Sequence, residues 1–104
     1  MITSPEPREL DAQAIKVASG TGNKVVNMTG YLDALIVDTP AGESFKFSIK
    51  GRQGVEYYLA PSAYIGDSTI LFSPALPMTG KMTITILNAS ADGNFSVIPV
   101  GNIK

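Results

Sequence analysis

Residues 44–50, Ser-Phe-Lys-Phe-Ser-Ile-Lys, alternate polar and apolar side chains without a break. A β-strand sends successive side chains to opposite faces, so Phe45, Phe47 and Ile49 share one side and Lys46, Ser48 and Lys50 the other. A helix would spread the three apolar residues around its axis. The pattern predicts a strand with one buried and one wet face, as in an antiparallel sheet. Residues 81–88 repeat it, setting Met82, Ile84 and Ile86 against Lys81, Thr83 and Thr85. Residues 31–37 differ: Leu32, Ala34 and Ile36 fall on one face, Tyr31, Asp33, Leu35 and Val37 on the other. Apolar groups on both faces predict a central strand.

Turn residues divide the rest. Residues 14–18 and 24–28 read as strands around the cluster Ser19-Gly20-Thr21-Gly22-Asn23, which predicts a hairpin. Pro40 and Gly42 suit a type I turn. Gly51-Arg52-Gln53-Gly54 links residues 44–50 to a strand at 55–60 in a second hairpin. Residues 61–67 read as a loop, 68–73 as a short apolar strand, and 74–80 as a loop because Pro74 and Pro77 would interrupt a central ladder. Asp92-Gly93 is a strong hairpin dipeptide before a final strand at 95–100, where Pro99 implies an edge or a bulge. A short helical turn fits residues 9–14. About eight short strands at such spacing predict an all-β fold, an antiparallel β-sandwich of jelly-roll or immunoglobulin-like type. Residues 1–12, with Pro5 and Pro7, read as an extended N-terminal arm, and residues 13–104 as a single β-sandwich domain.

Composition narrows the function. Hydrophobic residues make up 44% and charged residues 16% of the chain, the latter well below the ~25% usual for globular proteins. The surface must therefore be built from small polar and apolar groups. Net charge is −1, with eight Lys and Arg against nine Asp and Glu, so no basic stripe exists to neutralise phosphates and nucleic-acid binding is not expected. No apolar run approaches the ~20 residues of a membrane-spanning helix, and residues 1–10 lack the apolar core of a secretory signal. No membrane association is expected, and either the chain is made and used in the cytoplasm or a signal has been cut from it. Cysteine and histidine are absent, which removes disulfides, the commonest general base and the commonest transition-metal ligand.

The catalytic vocabulary is correspondingly thin. Serine hydrolysis lacks its histidine, and there is no Gly-x-Ser-x-Gly elbow. Asp38, Glu43, Asp67 and Asp92 lie in or beside turns, where carboxylates cap backbone amides. Asp33 and Glu56 sit within strands; an enzyme would need them to converge across a cleft, whereas outward carboxylates paired across the sheet are the plainer expectation. Residues 91–94 offer too few oxygens for calcium, and residues 20–22 lack the lysine of a phosphate loop. No catalytic residue, cofactor or metal site is expected.

Two features point to binding instead. The loop Phe72-Ser73-Pro74-Ala75-Leu76-Pro77-Met78 is apolar although loops are normally polar; it either plugs the end of the sandwich or docks into a partner. The arm offers Ile2, Pro5, Pro7 and Leu10. The partner-binding candidates are thus Ile2, Pro5, Pro7, Leu10, Leu76, Pro77 and Met78. Tyr57, Tyr58 and Tyr64 form a second candidate surface for a glycan or a protein. In composition and pattern, though on no motif, the chain resembles the small β-sandwich accessory proteins of tailed-phage virions, such as capsid decoration or cement proteins. That resemblance implies a structural role in the virion, assembly in the host cytoplasm, capsid or other virion subunits as partners, and self-association into a homo-oligomer such as a trimer. The alternative is a carbohydrate- or cell-surface-binding module.

Overall fold

The alternating segments become strands of one antiparallel sheet. A computed structural model describes residues 8–103, with eight strands: β1 (Arg8–Glu9), β2 (Gln13–Val17), β3 (Gly22–Asp38), β4 (Ser44–Lys50), β5 (Glu56–Leu59), β6 (Tyr64–Ile65), β7 (Ser68–Leu87) and β8 (Gly93–Ile103). The order is β1-β8-β3-β7-β4-β5, with β2 also on β8 and β6 on β4. The all-β, sandwich-like fold expected from the alternation is borne out.

The strands are not all short. β3 and β7 pair from Gly22–Ile86 to Val37–Ser68, a ladder that runs most of the length of the molecule, whose longest dimension is 49 Å. Gly30 (φ 141°) and Gly80 (φ 115°) lie at nearly the same level of this ladder, in backbone geometry that glycine adopts most readily. On one side of that level β8 pairs with β3 residues 30–38; on the other β4 pairs with β7 residues 83–87. The inner faces of these halves meet, because Phe45 of β4 packs edge-on against Phe95 of β8 at 5.7 Å although the two strands share no ladder. One continuous sheet thus supplies both layers. Phe45, Phe47, Ile49, Met82, Ile84 and Ile86 are fully buried between them, as their alternation required.

A bulge re-phases β3. Between Leu32 and Ala34 the β8 partner advances only from Gly101 to Val100, while β7 steps from Leu76 to Leu71. Asp33 is therefore an extra residue against β8 and faces the four residues 72–75 on β7. Burial follows Met28 and Leu32 before the bulge, then Leu35 and Val37 after it. The expected face of Leu32, Ala34 and Ile36 holds only in part, since a one-residue insertion exchanges the two faces. The central position expected for this strand is correct.

Several local expectations are corrected. Residues 14–18 and 24–28 do not form a hairpin: beyond the single bridge Ala18–Thr21, β2 pairs with β8 and β3 with β7. Asp92-Gly93 does not close a hairpin either, because β3 lies between β7 and β8; the Asp92 carboxylate instead accepts a bond from the Gly20 amide at 3.1 Å. Residues 74–80 are strand, with Leu76, Pro77 and Met78 opposite Leu32, Tyr31 and Gly30. Proline is tolerated there because among the described residues no strand pairs on the other side of this stretch. Residues 9–14 hold no helical turn, and Tyr64–Ile65 pairs with β4. β8 is interior, yet Pro99 sits where its neighbouring edge breaks between β1 and β2. Its carbonyl accepts from the Leu10 amide at 2.8 Å, so its missing N–H faces the same gap. The hairpin of residues 44–50 with 55–60 is present as β4–β5, joined by a 3-10 turn at Arg52–Gly54.

Candidate interaction surface

The β7 bulge and the β5 edge strand together form an apolar groove. Its volume is about 450 Å³, and its walls include Tyr57, Tyr58, Leu71, Pro74, Leu76 and Pro77. Two groups of residues singled out separately in the sequence, the tyrosines and the double-proline segment, are thereby brought together. No lining residue carries a charged side chain.

The floor is aromatic and held from below. Tyr58 stacks on Phe47 with centroids 5.2 Å apart and an interplanar angle of 24°, and meets Phe72 edge-on at 4.9 Å. Phe47 also contacts Tyr64 at 5.8 Å and Phe72 at 6.4 Å. The Tyr58 and Tyr64 hydroxyls lie 3.3 Å apart and share a hydrogen bond. Burial first, then that bond and the neighbouring phenol, push the Tyr64 phenol up to about 12. Tyr57 covers Gly51 so closely that no Cβ would fit at position 51.

The rim is exposed. Leu71 is 78% accessible, opposite in phase to its buried neighbours Ile70 and Phe72. Leu59 and Ile65, on β5 and β6, are also exposed large apolar residues. Scattered leucines on a surface mean little, and Leu59 and Ile65 do not line the groove; Leu71 beside the exposed Pro74 and Pro77 in an uncharged groove marks a contact face. Leu71 and Pro74 were not among the sequence candidates. The signal was present in the alternation at 69–72, where Leu71 falls on the wet face, and in the bulge, which periodicity cannot reveal.

The remaining candidates separate. Leu76 is half-buried against the core and Pro77 exposed, so both line the groove. Met78 is buried in the core, so its side chain plugs rather than docks. Leu10 packs against the core at a different cleft of about 360 Å³, shared with Asp11, Gln13, Asn27 and Thr29. Arg8 and Glu9 pair with Gly101 and Val100, so this stretch of the expected arm joins the sheet. Ile2, Pro5 and Pro7 lie outside the described residues.

The carboxylates do not assemble. Asp33 accepts from the Asn102 amide at 3.2 Å on the β8 side of β3, while Glu56 is exposed on β5, in register with Lys50. Neither lines the groove or the Leu10 cleft. Glu43 accepts from the Ala41 amide at 2.6 Å, and Asp67 from the Thr39 amide at 2.7 Å, the turn-capping roles expected of them. Among the described residues no three His, Cys, Asp or Glu side chains gather where they could hold a metal ion, and no helix is long and apolar enough to cross a membrane. Comparison of the chain with protein-family models, with curated proteins and with solved structures finds no match.

Proposed function

We propose that this chain is a non-enzymatic adhesive subunit: a virion accessory protein that binds and stabilises a capsid as decoration or cement proteins do, assembled in the host cytoplasm and working in many copies. The observation that carries the reading is the uncharged groove rimmed by Leu71 and Pro77. A face of that kind gains free energy by being covered, and its floor ring Tyr58 is already packed against Phe47 and Phe72, so little ordering entropy is lost on contact. A net charge of −1 adds little self-repulsion against dense packing of copies. Bridging neighbouring shell subunits would raise the cost of separating them without any bond being made or broken.

The glycan-binding reading ranks second. It is favoured by Tyr57 and Tyr58 in one groove, but beside the two phenols only Ser73 offers a side-chain hydrogen-bonding group to hold sugar hydroxyls. The test is co-sedimentation of the purified chain with empty capsid shells from its own source. Saturable binding at a fixed number of copies per shell supports the proposal. Absence of binding, together with one reproducible glycan-array hit, replaces it with the second reading.

A further inference from the structure

We propose that the groove receives residues 1–7 of a second copy of the chain, so that copies join head to tail. This deepens the adhesive reading and rests on it. The two partners of the contact lie on opposite flanks of one sheet. Arg8 is in register with Gly101, Gly101 with Leu32, and Leu32 with Leu76, which borders the groove. Three strand spacings of about 4.8 Å separate them, about 14 Å across the sheet.

Direction argues against a chain filling its own groove. Antiparallel pairing of Arg8–Glu9 with Gly101 and Val100 means that β1 enters from the Asn102 end of β8, level with Tyr31 and Gly30. The groove begins at Pro77, level with Tyr31, and extends the other way to Leu71, level with Ala34. Filling its length within one chain requires a reversal and a span of three strand spacings. A neighbour placed flank to flank meets it directly, and seven residues span up to about 25 Å.

The chemistry matches this groove better than the nearer cleft. Residues 1–7, Met-Ile-Thr-Ser-Pro-Glu-Pro, carry Ile2, Pro5 and Pro7. Pro5 and Pro7 bias Ser4 and Glu6 toward extended geometry. Pro-rich extended segments bind aromatic-lined grooves with little loss of entropy. Tyr57, Tyr58, Pro74 and Pro77 supply such walls. The cleft beside Leu10 mixes the apolar Val26 and Met28 with Asp11, Gln13, Asn27 and Thr29, polar groups that Ile2 and the prolines would leave without partners. Joining one flank to the other is a heterologous contact, which closes into a ring where the rotation permits.

The test uses the full chain and its Ile2→Asp and Leu71→Asp variants in sedimentation velocity. The expected result is a multimer for the full chain and self-association weakened roughly ten-fold or more in each variant. A synthetic peptide of residues 1–8 is then titrated into ¹⁵N-labelled Ile2→Asp chain. The expected result is shifts confined to the amides of residues 57–58, 71–73 and 75–76, absent when Leu71→Asp is added. Peptide shifts elsewhere, or no binding, overturn the inference. So does a monomeric full chain whose groove amides already differ from those of Ile2→Asp, the mark of docking within one chain. An Ile2→Asp chain that is no less associated but still binds shells overturns this inference alone and leaves the adhesive reading standing.

Discussion

Replacing Phe47 by alanine removes the ring on which the groove floor rests. Phe47 is wholly buried, with Tyr58 stacked at 5.2 Å and Tyr64 and Phe72 at 5.8 and 6.4 Å. The lost transfer free energy of the side chain is about 2–3 kcal/mol, and the lost aromatic pairing adds about 0.5–1.5 kcal/mol. With the residual cavity, the expected cost is about 3–5 kcal/mol, a large share of the roughly 5–15 kcal/mol that holds a domain folded. At about 4–8 °C per kcal/mol, the melting temperature falls by roughly 12–40 °C. The assay is urea unfolding followed by circular dichroism and by tyrosine emission, which is unmasked because the chain has no tryptophan. The midpoint should fall with the slope unchanged. A loss under about 1 kcal/mol would refute the reasoning, since no mechanism for so small a cavity penalty at a closed site is on hand.

Three other outcomes are expected. Gly101→Ala should destabilise by about 1–3 kcal/mol or more, because its Cβ would drive into the Tyr31 carbonyl and the Met28 methyl beside the bulge; urea unfolding reads it, and a neutral result would show the strands apart at that level. Tyr64 should ionise near pH 12 in a spectrophotometric or NMR titration. Its folded value lies above the ordinary phenol value of 10.0, so its contribution to stability is complete below pH 10 and is lost as pH rises through about 12; Tyr58→Phe should bring the titration down, and an unmoved midpoint would dissociate the shift from the hydroxyl pair. Glu43→Ala should cost about 0.5–1.5 kcal/mol by removing the acceptor of the amide of the exposed residue Ala41, read as a lower midpoint in the same unfolding assay.

Legibility differed by the range of the interaction that decides each feature. The β4 face of Phe45, Phe47 and Ile49 and the β7 face of Met82, Ile84 and Ile86 were readable because alternation is local and burial follows it. The β4–β5 hairpin was readable because its turn is local too. Partner choice was not: Ser19–Asn23 and Asp92-Gly93 have hairpin chemistry, yet β2, β3, β7 and β8 pair with strands distant in sequence. Pro74 and Pro77 looked like breakers because the reading assumed a strand paired on both sides, whereas a ladder with one free side accepts them. The Asp33 bulge re-phased β3 without any composition signal. Tyr57, Tyr58, Leu76 and Pro77 were found as separate candidates; that they share one groove follows from the bulge and from β5, neither of which periodicity specifies.

The central claim is that the chain acts through an apolar surface rather than through chemistry. Leu71→Asp tests it most directly, because an exposed side chain can be charged with little effect on folding. The measurement is the affinity for capsid shells of the full chain and of this variant, with near-ultraviolet circular dichroism confirming the same fold. The account predicts a loss of roughly ten-fold or more. Equal affinity in a correctly folded variant would contradict it.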